Sequence, residues 1–135
     1  MEILERISRV RNGALAFTGE PEDAVFVFRG VLGETLVRQP DFAGNAVKII
    51  AAFSEKPIQS DHYEVFELEK MGNLIPRLAV KTAILCVPHK EAAAMAEQLI
   101  RGGITRILNW SGAFIVADPG IAVLCEEPPA ADRVN

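Results

Sequence analysis

The feature that most constrains the fold is the alternation of short apolar runs with segments of helical periodicity. Residues 24–28 (AVFVF) and 82–87 (TAILCV) form continuous apolar runs, which are typical of strands covered on both faces. Between such runs lie helical segments, the clearest being alanine-rich residues 90–101. Strands that alternate with helices predict an α/β fold, here a three-layer Rossmann-like domain with a mostly parallel sheet.

The same patterns predict the remaining elements and the domain organisation. Further strands are expected over residues 46–53, 63–66, 104–109, 113–116 and 121–125, and further helices over 2–12 and 34–39, with a weak helix over 68–78. Residues 1–17 are predicted to form an N-terminal connector helix, 18–127 the nucleotide-binding domain and 128–135 a disordered tail. Pro128 and Pro129 limit the last strand because proline continues neither a helix nor a central strand.

Composition excludes several classes of protein. A formal net charge of −4 disfavours nucleic-acid binding, which depends on clustered basic residues. No apolar run approaches the roughly 20 residues of a membrane helix, and no signal peptide is evident, so a cytoplasmic protein without membrane contact is expected. Cys86 and Cys125 form no CxxC pair and are too few for zinc, so no metal is predicted.

The turn after the first central strand occupies the place of the dinucleotide fingerprint G-x-G-x-x-G. Its sequence is Phe28-Arg29-Gly30-Val31-Leu32-Gly33, which keeps the second and third glycines. In one reading these six residues bind a phosphate at the start of a helix. In the other, Gly30 only permits the turn and Gly33 only lets the helix pack closely on the strand.

A second candidate position lies at the end of the next strand, where dinucleotide sites place an acid that binds the adenosine ribose. Here the residue is Ser54, followed by Glu55 and Lys56. A serine cannot clamp a diol with two acceptors, so Ser54 with Lys56 favours a phosphorylated ribose, as in NADP(H) or coenzyme A. The alternative is a solvated loop.

Two further turns follow predicted parallel strands and are expected at the same ligand-binding edge. Val87-Pro88-His89 follows the 82–87 strand, and Asn109-Trp110 ends the 104–109 strand. The histidine is either a site residue or an ordinary helix-start residue, and the tryptophan either covers a ligand ring or belongs to the core. No nucleophile elbow or paired acid and base is visible, so no catalytic residues and no enzyme are predicted.

The order of these motifs resembles the redox-sensing repressor Rex. The resemblance covers residues 24–125 and rests on a strand ending in Val-Pro (83–88), the alanine-rich helix and the run GITRILNW at 103–110. It implies a Rossmann domain of the CoA-binding superfamily that binds NADH or NAD and reports their ratio to a DNA-binding winged helix. The matching positions for NAD are Gly30, Gly33, Val87, Pro88, Asn109 and Trp110.

The departures from that family shape the functional prediction. The chain begins at the connector, and residues 126–135 stand in place of a swapped C-terminal helix, so direct DNA binding is not expected, whereas a homodimer or companion protein is possible. We predict a non-catalytic sensor of an adenine-containing nucleotide: NAD(H), NADP(H) or CoA. The alternative is a partner-binding module with a ligand-free site, because Phe28 and Arg29 are bulky enough to obstruct a diphosphate.

Overall fold

A computed structural model describes residues 21–44 and 47–129. The predicted helix 2–12, the connector 1–17 and most of the predicted tail lie outside these residues. The strands are β1 (Glu22–Phe28), β2 (Val47–Ser54), β3 (Val65–Glu67), β4 (Thr82–Cys86), β5 (Arg106–Asn109) and β6 (Ala122–Cys125). The α-helices are α1 (Val31–Val37), α2 (Met71–Leu78) and α3 (Ala92–Arg101), and 3₁₀ turns at Leu68–Lys70 and His89–Glu91 lead into α2 and α3.

The described strands form one parallel sheet in the order β3-β2-β1-β4-β5-β6. This order confirms the predicted Rossmann-like fold. The chain runs outward from β1 to β3, returns to pair β4 with β1, and then runs outward again to β6. The loops after β1 and β4 therefore separate at the carboxyl edge, which is where ligands bind in sheets of this kind.

Two hydrophobic cores cover the two faces of the sheet. On one face, Phe26 and Phe28 of β1 pack with Leu36 of α1. On the other face, Val25 and Val27 pack against α2 and α3, since successive side chains of a strand point to opposite sides. Burial on both faces explains why β1 and β4 are continuous apolar runs in the sequence.

The predicted strand over residues 113–116 is wrong. This segment pairs with none of the described strands, although its burial alternates, with Ala113 and Ile115 buried and Phe114 and Val116 exposed. Its polar groups bond locally: the N–H of Ala113 donates to Ser111 Oγ at 3.1 Å, and the carbonyl accepts from Asn109 Nδ2 at 2.8 Å. An extended loop that buries every second side chain thus produces the same alternation of burial as a strand.

The other elements predicted within the described residues are present, several of them with shifted ends. Helix α1 begins at Val31, three residues earlier than predicted, because Gly30 directly precedes it. Helix α2 contains both Gly72 and Pro76. Within the described part of the chain, no helix combines the length and apolarity that a bilayer crossing requires.

Candidate functional site

An open cleft of about 390 Å³ lies at the carboxyl edge of β1, β2 and β4. Loops after all three strands contribute to it, because parallel strands end at the same edge of a sheet. Its lining residues are Arg29, Gly30, Glu34, Ser54, Glu55, Lys56, Pro88 and Glu91. The structure thus brings together four of the residues predicted from sequence: Arg29, Gly30, Ser54 and Pro88.

Gly30 lines the cleft with its backbone and leaves open space beside it. Its φ of +108° lies in the region that residues other than glycine rarely adopt. A Cβ built on Gly30 would meet no atom within 4 Å. It precedes α1, whose N-terminus receives no side-chain cap from the described residues. The glycine therefore leaves room beside the backbone for a ligand group, as the second fingerprint glycine does.

Gly33 has a different role, and it also determines where Phe28 lies. A Cβ on Gly33 would sit 2.5 Å from Cβ of Phe28, so α1 crosses β1 at a distance that only glycine allows. The Phe28 ring is fully buried and stacks on Phe26 with centroids 5.1 Å apart. The expectation that Phe28 obstructs a diphosphate is therefore wrong, because its ring lies inside the core beneath α1.

Arg29 spans the cleft with two ion pairs. Its Nη2 lies 3.1 Å from Oε1 of Glu55, after β2, and its Nη1 lies 2.8 Å from Oε1 of Glu91, before α3. Its backbone N–H donates to the carbonyl of Cys86 at 3.1 Å. The hydrogen bond to Glu91, and then the charge of Glu55, raise the pKa of the Arg29 guanidinium. Arg29 is thus a permanent cation that joins three loops.

At the end of β2, where a ribose contact was predicted, the cleft is lined by more than Ser54. Ser54 is the buried last residue of β2, and the exposed Glu55 and Lys56 line the cleft beside it. Glu55 therefore places a carboxylate at the cleft, one position beyond the predicted residue 54. The sequence feature that could have identified Glu55 is an acidic residue one position beyond the end of β2.

Pro88 alone of the Val87-Pro88-His89 segment lines the cleft. Val87 is buried in the core shared with α2 and α3. His89 is exposed at the start of the 3₁₀ turn, with Cδ2 3.9 Å from where a Cβ on Gly112 would lie. Sequence reasoning missed Glu91, two residues further on, since only its contact with Arg29 distinguishes it from other charged residues near a helix start.

Asn109 and Trp110 do not line the cleft with their side chains. The fully buried Asn109 holds the following loop: its Oδ1 accepts from the N–H and Oγ of Ser111 at 3.0 and 2.6 Å, and its Nδ2 donates to the Ala113 carbonyl. The Trp110 ring packs edge-on to Phe26 with centroids 6.2 Å apart, so it belongs to the core. Their ligand contacts stay a prediction, as do those of Val31 and Leu32.

We expect Asn109→Ala to lower the free energy of unfolding by about 1.5 kcal/mol, because it leaves the loop's polar groups without partners. Urea unfolding provides the measurement. Asn73→Ala, at an exposed position of α2, is the matched control and should change stability by less than about 0.5 kcal/mol. Equal effects of the two substitutions would contradict the structural role of Asn109.

Among known protein families, that of the CoA binding domain matches this chain over residues 38–112. The chain belongs to the CoA-binding domain family. Curated relatives of this CoA-binding domain include the redox-sensing transcriptional repressor Rex of Rhodopirellula baltica, 30% identical over 118 residues that cover 84% of the chain and 50% of the relative. Rex of Clostridium beijerinckii is 27% identical over 105 residues, covering 75% and 50%. The chain thus spans about half the length of these relatives.

Solved structures of a Rex-family repressor share the fold of this CoA-binding domain. The crystal structure of RSP gives a TM-score of 0.70 at 18% identity, covering 91% of this chain and 58% of RSP. RSP in complex with beta-NADH gives 0.70 at 20% identity, with 88% and 60% covered. The predicted resemblance to the Rossmann domain of Rex is confirmed.

Proposed function

We propose that this CoA-binding domain binds NAD(H) in the cleft between the loops after β1, β2 and β4, and that it is a regulatory domain without catalytic activity. The observation that carries the proposal is the open space beside Gly30, at φ +108°. It lies between Glu55 on one side of the cleft and Pro88 on the other. The Rex relatives, named as redox-sensing repressors, and the beta-NADH complex of RSP support it.

The lining residues fit the parts of a dinucleotide. In this proposal the diphosphate lies beside Gly30, where the backbone leaves room, and the adenosine ribose lies near Ser54 and Glu55 at the end of β2. The second nucleoside extends toward Pro88, after β4. The nicotinamide of the ligand has an oxidised and a reduced form. A sensor distinguishes them only if the two forms differ in their relative affinity for two states of the protein.

Glu55 favours NAD(H) over a ligand with a phosphate on the adenosine ribose. A carboxylate accepts two hydrogen bonds from an unmodified diol but repels a phosphate at the same position. Lys56 acts in the opposite sense, since it lines the same part of the cleft with a positive charge. NADP(H) and CoA therefore belong in the experiment as competing ligands.

A second candidate function is a partner-binding module with no nucleotide. Arg29 favours it, because its ion pairs with Glu55 and Glu91 cross the space that a dinucleotide needs. Phe28 does not support the partner-binding module, because its ring is buried and does not obstruct the cleft. The two candidates differ in whether any adenine-containing nucleotide stabilises the folded chain.

Thermal unfolding with NADH, NADPH, CoA or ADP tests the proposal. We expect NADH to raise the melting temperature most, with a stabilisation of about 2.7 kcal/mol at a concentration one hundred times its Kd. No increase with any of the four ligands would favour the partner-binding module. A larger increase with NADPH or CoA would reject NAD(H) as the ligand and keep the site.

The site itself is tested with Gly30→Trp, which fills the open space in the cleft. Gly103→Trp is the matched control, since Gly103 shares a φ of +108° and open surroundings but lies after α3. Both substitutions strain the backbone, so the ligand-induced shift is compared within each variant. We expect the NADH shift to disappear in Gly30→Trp and to persist in Gly103→Trp.

A further inference from the structure

Arg29 is an unusual residue to find beside a turn that must admit a diphosphate. It stands directly before Gly30, and its side chain remains in the cleft rather than extending into solvent. Two carboxylates from different loops hold it there, at 3.1 and 2.8 Å. Its guanidinium therefore has a defined position next to the open space at Gly30.

The guanidinium is both held and accessible. Its side chain is 41% exposed, and Glu55 and Glu91 each contact it through one oxygen. A guanidinium has five N–H donors in a planar fork that matches phosphate oxygens. Arg29 thus has donors for a ligand phosphate, provided that at least one carboxylate moves aside.

The balance of charge in the cleft favours such a role for Arg29. Among the described lining residues, three are carboxylates (Glu34, Glu55 and Glu91) and two are cations (Arg29 and Lys56). A diphosphate brings two further negative charges into this cleft, and a cation that contacts it directly offsets its repulsion by the three carboxylates. Arg29 is the cation adjacent in sequence to Gly30, whereas Lys56 lies on the ribose side, after β2.

We propose that Arg29 is the residue that binds the diphosphate of the ligand, and that Glu91 occupies its guanidinium until the diphosphate displaces it. Glu55 stays beside the ribose and keeps the guanidinium in place. This inference rests on the proposed function and specifies how its site recognises the ligand. The exchange replaces one charge-assisted hydrogen bond with another, so no additional cation is needed.

The test compares Arg29→Gln with Arg101→Gln, which removes an exposed arginine paired with Glu97 on α3. Calorimetric titration of the folded chain with NADH should show that Arg29→Gln weakens binding at least tenfold and lowers its dependence on salt concentration. Arg101→Gln should bind like the unsubstituted chain. Glu91→Gln should bind NADH several-fold more tightly, because it removes both a competitor for Arg29 and a negative charge.

Inorganic pyrophosphate, titrated in parallel, separates failure of this inference from failure of the proposed function. NADH binding that is equal or tighter in Arg29→Gln would overturn the inference and leave the NAD(H) site intact. Pyrophosphate binding that requires Arg29, without binding of NADH, would uphold the inference and overturn the NAD(H) assignment. If the unsubstituted chain binds neither probe, both are wrong.

Discussion

Replacing Phe28 with alanine is expected to lower the free energy of unfolding by about 4 kcal/mol, as measured by urea denaturation. The ring is fully buried, stacks on Phe26 and lies under Gly33 of α1. Its removal loses the transfer energy of a benzyl group and leaves a cavity that the sheet and helix cannot close completely. The expected loss is a large part of the total stability of a domain of this size.

Val31→Ala is the matched control for this prediction. Val31 lies three residues further along the same turn but is 80% exposed, so its truncation should change stability by less than about 0.5 kcal/mol. A loss below about 1 kcal/mol for Phe28→Ala would contradict the buried position of the ring. It would also restore the expectation that residue 28 obstructs the cleft.

The second large effect is expected at Gly33, where alanine should lower the free energy of unfolding by about 2 kcal/mol. The added methyl group would lie 2.5 Å from Cβ of Phe28, a contact that forces α1 away from β1. This cost exceeds the gain of up to about 1 kcal/mol that alanine gives over glycine within a helix.

Gly72→Ala separates these two contributions, because Gly72 lies in α2 with no atom within 4 Å of its would-be Cβ. It should raise the free energy of unfolding by about 0.5–1 kcal/mol. Opposite signs for the two glycine-to-alanine changes would establish that Gly33 is required for packing. A stabilised Gly33→Ala variant would contradict the close crossing of α1 and β1.

The central part of the fold was predictable because burial on both faces leaves a clear pattern. The apolar runs of β1 and β4 and the alanine-rich α3 are evident in sequence, and they form where predicted. The segment 113–116 was not predictable in this way, because alternation reports which side chains are covered and not whether the backbone is paired. Its carbonyl and N–H partners, Asn109 and Ser111, depend on the geometry of one loop.

The candidate site was predictable only to the level of the sheet edge. Strand ends placed Gly30, Ser54 and Pro88 near one another, since parallel strands share a carboxyl edge. Which way each side chain points could not be obtained from strand ends. The strand end did not show that the Asn109 side chain bonds within its own loop. Glu91 was identified as a site residue only by its contact with Arg29.

The strand order also governs how a nascent chain can fold. Strand β1 has β2 on one side and β4 on the other, and β4 leaves the ribosome about 3–12 s after β1 at usual rates of synthesis. During that interval one backbone edge of β1 lacks its partner, which exposes the strand to aggregation. Chaperones that shield apolar segments of nascent chains should therefore matter most between the emergence of β2 and that of β4.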